Sequence, residues 1–407
     1  MAAGEAVNPG RPETAADVAE PWGQDDLRRR VGAAIAAGRL PQSLLLHGPE
    51  GVGKRPLALW IARALQCGAQ QSGEPPRNGE GGPCGTCRSC RMAARLEHPD
   101  IHLHFPMPRP KGTTSRAKLR EAIEAQRHER LALLRDDLHA RLDPDAVTGL
   151  YVAAVENIRG QASRRPSMAR KAVFVVEDAD RMVPQSASPE AANAFLKLLE
   201  EPPDFAWIVL TSSRPEALLP TIRSRSVPLR VAPVATDSVA AYLTDQLGAP
   251  PDRALAVARR ADGAVYRARR LMRTTESEDS DTSETAADQL LAAALDGSPA
   301  ARYRTASRYS ARGARGNLGP ALEDLRVRLR DLLCVAVDAA SQAHDADRVQ
   351  RLTRGGAVTD RAVLHALGSV ERALEGVGRN MNPQATIALL LQEMGAAFAG
   401  RRPGTHH

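Results

Sequence analysis

Gly48, Gly53 and Lys54 fill the pattern G-x-x-x-x-G-K within Gly48-Pro49-Glu50-Gly51-Val52-Gly53-Lys54. Glycines at these positions let backbone N–H groups turn inward on phosphate oxygens. A following helix N-terminus adds positive potential, and the lysine reaches the terminal phosphates. The next residue of the pattern is ordinarily Ser or Thr, whose hydroxyl holds Mg²⁺. Here it is Arg55. The stretch therefore predicts a cradle for ATP or ADP that has lost its metal ligand. A second chemical group is Glu177-Asp178-Ala179-Asp180. In phosphate-loop enzymes a strand-end acidic pair faces the loop: one member holds Mg²⁺, and the other orients the attacking water. The usual order, Asp then Glu, is reversed here, and Asp178 has the shorter reach. Ser212, beyond the apolar run 207–210, completes a nucleotide-site set of Gly48, Gly51, Gly53, Lys54, Arg55, Glu177, Asp178 and Ser212.

Cys67, Cys84, Cys87 and Cys90 are spaced C-x16-C-x2-C-x2-C. Tight C-x2-C turns place thiolates at tetrahedral distances, and a remote cysteine closes the shell. Four sulfurs without an open position predict structural zinc. Four unliganded thiols are the plain alternative.

The chain carries a net charge of +7. That favours an anionic partner, nucleic acid first. The competing explanation is an arginine-rich composition, since Arg far outnumbers Lys. Arg159, Arg164, Arg165 and Arg170 cluster ahead of the acidic-pair strand, either as a contact for DNA backbone or as a solvated basic loop.

These residues need elements to position them. Leu44-Leu45-Leu46-His47 reads as a strand ending in the loop, and Pro56–Ala62 as the start of the helix after it. Val173–Val176 and Trp207–Leu210 read as buried strands, and Val227–Val231 as a last one. Ala191, Phe195, Leu198 and Leu199 mark one face of a helix. Strands alternating with helices around a phosphate loop predict an α/β fold with a parallel sheet covered on both faces. The 407 residues suffice for two or three domains, and with 3% aromatics the cores must be aliphatic. We read residues 1–20 as a disordered N-terminus and 21–232 as the phosphate-loop domain, with a zinc module at 67–90 and an insertion at 106–150. The insertion carries a charged helix from Ala117 to Leu142 with apolar residues at Leu119, Ile123, Leu131, Leu134 and Leu138. We prefer a packed amphipathic helix there over a DNA-binding arm. Residues 233–273 read as short helices, 274–288 as an acidic linker and 289–400 as an all-helical domain; the resemblance named below implies that the first of these is a lid. No apolar run approaches the ~20 residues of a membrane span. The N-terminus lacks a leader pattern. A cytoplasmic protein with no membrane partner is expected.

Taken in order, several motifs resemble bacterial clamp loaders of the AAA+ family. They are Gly23-Gln24, the loop at 48–54, the cysteine cluster, Glu177-Asp178-Ala179-Asp180-Arg181-Met182, the run Ala191 to Pro203, and Ser224-Arg225-Ser226. Asn380-Met381-Asn382-Pro383-Gln384 is similar to a motif of their collar helices. The resemblance covers about residues 21–395, apart from the insertion and linker. Within the family the chain looks like the delta-prime subunits of DNA polymerase III. That resemblance implies an AAA+ domain, a lid and a helical collar. It also implies partners: gamma/tau and delta subunits in a hetero-pentamer, a sliding clamp, and primer–template DNA met through its backbone. Arg225 falls on the position of an arginine finger acting in trans, with Ser226 where the family has Cys; a surface arginine is the plain alternative. Three residues after Gly263, where active ATPases of the family carry a sensor arginine, stands Tyr266, with Arg267 beside it. Together with Arg55 and the reversed acidic pair, this implies a subunit that does not hydrolyse ATP. The alternatives are the gamma/tau-type motor and a free-standing zinc-containing nucleic-acid ATPase.

Overall fold

The structure, a computed structural model, describes residues 21–71, 81–112, 115–136, 138, 148–182, 190–275, 285–296, 298–310, 314–353, 358–378 and 381–400. The N-terminal stretch 1–20, residues 72–80 of the expected zinc module, residues 137 and 139–142 of the helix expected in the insertion, most of the acidic linker and Asn380 lie outside them.

Five strands form one parallel sheet: β1 (Ser43–His47), β2 (Ile101–His104), β3 (Ala172–Val176), β4 (Ala206–Ser212) and β5 (Val227–Arg230). Their spatial order is β5-β1-β4-β3-β2. β3, Ala-Val-Phe-Val-Val, is buried along its whole length. A central parallel strand covered on both faces has to be a continuous apolar run. Leu44 to His47 of β1 register against Val209 to Ser212 of β4 and against Val227 to Arg230 of β5. That register brings the phosphate loop and the strand ends bearing Glu177 and Ser212 to one edge of the sheet, where ligands of such folds bind.

Helices α1 (Asp25–Ala36) and α2 (Lys54–Gln66) frame β1 in sequence, and α3 (Arg88–Ala94) carries the last cysteine of the cluster. The insertion contains α4 (Arg116–Asp136). Its base is closed by a two-stranded antiparallel ribbon, Met107–Pro108 against Thr148–Gly149. Helix α4 buries Ile123, Leu131 and Leu134 and packs beside α5 (Val152–Ala162). Arg116 pairs with Glu156, Arg120 donates to Asn157 Oδ1 (3.1 Å), and Gln161 donates to Glu124 (3.3 Å). The buried Arg127 donates to the Leu103 carbonyl (3.3 Å), covering the open edge of β2. On one face of the sheet, α5 and α6 (Glu190–Glu200) bury Ile158, Phe195 and Leu198 around Phe174. The short α7 (Pro220–Ser224) leads into β5.

The segment expected to be a lid contains α8 (Thr236–Leu247), α9 (Pro251–Arg260) and α10 (Val265–Thr275), which share an aliphatic core around Val239, Leu243, Val257 and Val265. Trp22 joins it, edge-on to Tyr242 with its indole N–H on the Ser238 carbonyl (2.9 Å). Helix α10 runs two residues past the lid boundary read from the sequence.

The chain divides into two compact units, the second comprising the C-terminal helices. These are α11 (Ala286–Leu295), α12 (Pro299–Ser307), α13 (Ala314–Ala336), α14 (Ala346–Thr353), α15 (Asp360–Gly378) and α16 (Pro383–Phe398). Leu322, Leu325, Leu329, Ile387 and Leu391 are fully buried in one aliphatic core. Helix α11 starts inside the stretch read as linker. The reason is local: the Thr285 side chain and Asp288 form a reciprocal capping box, which starts a helix despite the polar composition.

Asp288 also anchors this unit. Its buried carboxylate accepts from Arg328 Nε (3.0 Å) and from Arg348, while holding the cap. Burial opposes its charge, but the Arg348 and Thr285 hydrogen bonds keep its carboxyl below the usual carboxylate range. Asp288→Ala removes the buried anion that two largely buried guanidiniums share, and should destabilise the unit by about 3–5 kcal/mol in a denaturant titration. A loss below about 1 kcal/mol would mean that the network adds nothing beyond a surface pair. Because the folded carboxyl is the stronger acid, this stability is present above pH ~4 and is lost as the pH falls further.

Candidate functional site

At the end of β1 the chain turns through Gly48, Gly51 and Gly53, all with positive φ (154°, 80° and 106°). Gly51 and Gly53 have a second reason to lack a side chain. A Cβ on Gly51 would lie 2.9 Å from the Arg267 amide nitrogen, and one on Gly53 would lie 3.0 Å from the Tyr266 ring. The Tyr266 N–H donates to the Gly51 carbonyl (2.9 Å), and Arg270 pairs with Glu50 (3.3 Å). The start of α10 thus lies directly on the phosphate loop.

Lys54 turns back into its own loop. Its ammonium donates to the Gly48 and Pro49 carbonyls and to Ser213 Oγ, each at 2.8 Å. Burial lowers its pKa, while Asp178 and Glu50 oppose that. Arg55, on the first turn of α2, forks onto Glu177 through Nε and Nη2, both at 2.5 Å, and donates to the Leu138 carbonyl (2.9 Å). Glu177 is 4% exposed. A paired guanidinium therefore neutralises the very carboxylate that would hold Mg²⁺, and the residues present do not fit that metal.

Asp178 sits at φ +45°, its N–H on Thr211 Oγ1 (3.1 Å). Burial, with Glu177 and Asp180 near, pushes its carboxyl up to about 6, against the pull of Arg181. Ser212 differs from the expectation: it is fully buried and donates to Asp180 Oδ1 (2.7 Å), while Asp180 Oδ2 accepts from Arg214 (3.1 Å). It is Ser213, one residue on, that meets Lys54. Sequence reasoning missed Ser213 and Arg214 and gave Asp180, though named in the acidic motif, no role; a polar triplet at a strand end was the available signal.

Arg225 caps the C-terminus of α7. Its guanidinium touches Glu200 (3.0 Å) and the Thr221 carbonyl (3.3 Å), with 37% of the side chain exposed. Arg159, Arg164, Arg165 and Arg170 are all exposed, at the end of α5 and on the loop before β3.

The four cysteines converge. Their sulfurs lie within 4.8 Å of one another, Cys67 and Cys90 fully buried. A tetrahedral zinc with bonds of about 2.3 Å needs sulfurs about 3.8 Å apart, so the set fits with a small contraction. Backbone N–H groups of Cys84, Cys87 and Cys90 donate to the sulfurs of Cys67, Cys84 and Cys87 (3.3–3.4 Å). The Cys90 thiol bonds to Cys67 and pushes the Cys67 pKa down to about 4, whereas Cys90 itself is raised. Arg63, one turn before Cys67 on α2, adds positive charge beside the sulfurs. Sequence reasoning missed it, although the i−4 spacing on a helix was available.

The sequence profile of the family described as "DNA polymerase III, delta subunit" matches residues 23–235. The gamma/tau subunit of DNA polymerase III from Mycobacterium tuberculosis strain H37Rv is 29% identical over 243 residues, 59% of this chain and 33% of that one. The delta' subunit from Pseudomonas aeruginosa is 30% identical over 230 residues, 56% of this chain and 54% of that one. The delta' subunit from Escherichia coli K12 is 28% identical over 244 residues, 60% and 58% of the two chains. The alignments thus span a third to somewhat over half of these relatives' lengths. A solved gamma subunit-related protein from Thermotoga maritima superposes over 91% of this chain and 98% of that one, at 16% identity and a TM-score of 0.35. Among the described residues no helix is long and apolar enough to cross a membrane.

Proposed function

The chain belongs to the DNA polymerase III delta subunit family, and from that premise we propose that it works as a delta-prime-like clamp-loader subunit in DNA replication. In this reading it is a rigid stator that does not hydrolyse ATP. Arg225 serves as an arginine finger at the nucleotide of a neighbouring gamma/tau-type subunit. Its partners are gamma/tau and delta subunits in a hetero-pentamer, the sliding clamp, and primer–template DNA met through its backbone by Arg159, Arg164, Arg165 and Arg170. Cys67, Cys84, Cys87 and Cys90 hold structural zinc.

The Arg55–Glu177 pair carries this reading. Phosphoryl transfer needs phosphates, metal and in-line water positioned together. Here the metal-holding carboxylate is neutralised from within the chain, Lys54 is spent on its own loop, and Tyr266 rather than a sensor arginine rests against Gly53. The relatives' names do not separate delta-prime from gamma/tau, and the motor reading is the rival that their identities support equally. ATP binding and turnover by the purified full chain distinguish the two. Turnover should stay at background, and adding Mg²⁺ should not strengthen whatever nucleotide binding there is. ATP hydrolysis that Lys54→Ala abolishes would make the chain a motor.

A further inference from the structure

The basic loop between α5 and β3 is held from beneath by one carboxylate. Asp100, 2% exposed at the start of β2, accepts three successive backbone N–H groups: Ser167 at 2.6 Å, Met168 at 2.8 Å and Ala169 at 2.8 Å. Asp100 is itself fixed. Its N–H donates to His98 Nδ1 (3.2 Å), and its carbonyl accepts from the Val173 N–H (2.8 Å). The buried Gln66 bridges the Asp100 and Lys171 carbonyls (3.2 and 2.7 Å). The loop is therefore tied to the sheet from its middle and from its far end. Bonds from amides to a buried, ionised acceptor are of the strong kind. On its outer side the loop presents Arg164, Arg165 and Arg170, all exposed.

We propose that residues 163–170 are a preformed contact for the phosphate backbone of duplex DNA, with Asp100 as its positioning residue. This rests on the DNA contact proposed above for these arginines and adds what makes it rigid. The amides at 167–169 are already used by Asp100, so the positively charged groups that the loop offers DNA are its guanidiniums. Such contacts fix position without reading sequence. A loop ordered in advance spares the complex the entropy of ordering it on binding.

The sign of the Asp100 effect separates positioning from simple charge. By Coulomb's law alone, removing a negative charge beside three guanidiniums strengthens DNA binding. Losing the anchor weakens it. The test titrates the full chain against a fluorescently labelled primer–template duplex of mixed sequence over a range of salt. The triple variant Arg164→Gln/Arg165→Gln/Arg170→Gln should lose affinity, with the slope of log affinity on log salt shrinking by about 3, close to one unit per phosphate contact. Asp100→Asn should weaken binding about five-fold at fixed salt, the weight of ordering one more flexible group. Its slope should not change, because the arginines remain. Amide exchange of the unaltered chain supplies a second reading that does not depend on the folding of Asp100→Asn: the 167–169 amides should exchange slowly although their residues are on the surface. A triple variant with unchanged affinity and slope would overturn both the DNA contact and this proposal, leaving an acidic protein surface as the occupant. Tighter or unchanged DNA binding by folded Asp100→Asn, or fast exchange at 167–169, would overturn the anchor alone and leave the contact standing.

Discussion

Replacing Arg225 with Ala should cut ATP turnover by a complex assembled with a gamma/tau-type subunit by on the order of a thousand-fold, with assembly unchanged. Arginine fingers supplied in trans are worth roughly 10³–10⁵ in rate, because their paired N–H donors meet charge that develops on the transferring phosphoryl group. Locally, Arg225 costs the fold little to lose. Its partners are the exposed Glu200 and the Thr221 carbonyl at the end of a short helix. A surface pair of that kind contributes at most about 1 kcal/mol. A Lys at this position should not restore the rate, since an ammonium lacks the planar fork. The companion variant sharpens the test. Lys54→Ala removes three hydrogen bonds from the loop and some stability of the chain, but should change turnover by the complex little. The decisive measurement is steady-state hydrolysis by each reconstituted variant, with size-exclusion chromatography to check assembly. If Lys54→Ala stopped turnover and Arg225→Ala did not, the division of labour proposed for this chain would be reversed.

Removing the zinc proposed for the four cysteines should have the other large effect. A four-thiolate structural site binds zinc with about 10–16 kcal/mol near neutral pH, and in small modules that energy is folding energy. Here Cys67 ends α2 and Cys90 lies in α3, so the metal would join two helices across a stretch rich in Gly and Pro. Metal analysis should give about one zinc per chain, and the protein should be colourless, which separates zinc from an iron–sulfur cluster on the same ligands. Stripping the metal, or changing Cys67 or Cys90 to Ser, should lower the melting temperature and open the 67–94 region to protease. Losing Cys84, which is more exposed, should act in the same direction. A folded protein with four titratable thiols and no bound metal would reduce the cluster to a packed group of cysteines.

The parts legible from sequence are those that local spacing decides. A glycine-rich turn between an apolar run and a helix is one continuous stretch, so the phosphate loop needed no distant partner to be read. Short unbroken apolar runs separated the buried strands at 173–176 and 207–210 from the 3.6-period helix at 191–199, because a strand covered on both faces is apolar throughout whereas a helix on its surface is apolar along one face. Cysteine spacing alone placed four thiols within reach of one ion. What tertiary structure decided is which groups at the sheet edge meet. Arg55 and Glu177 are 122 positions apart, and only the packing of α2 beside β3 makes them a pair. Whether Ser212 or Ser213 meets Lys54 depends on how the chain turns at the end of β4, where one residue changes the direction of the side chain. The same holds for Tyr266 against Gly53, which needs the lid folded onto the loop, and for Asp100 beneath residues 167–169, which needs β2 paired with β3. Chain-local geometry sets periods, turns and ligand spacing. Long-range partners follow from register and packing, which no short stretch of sequence contains.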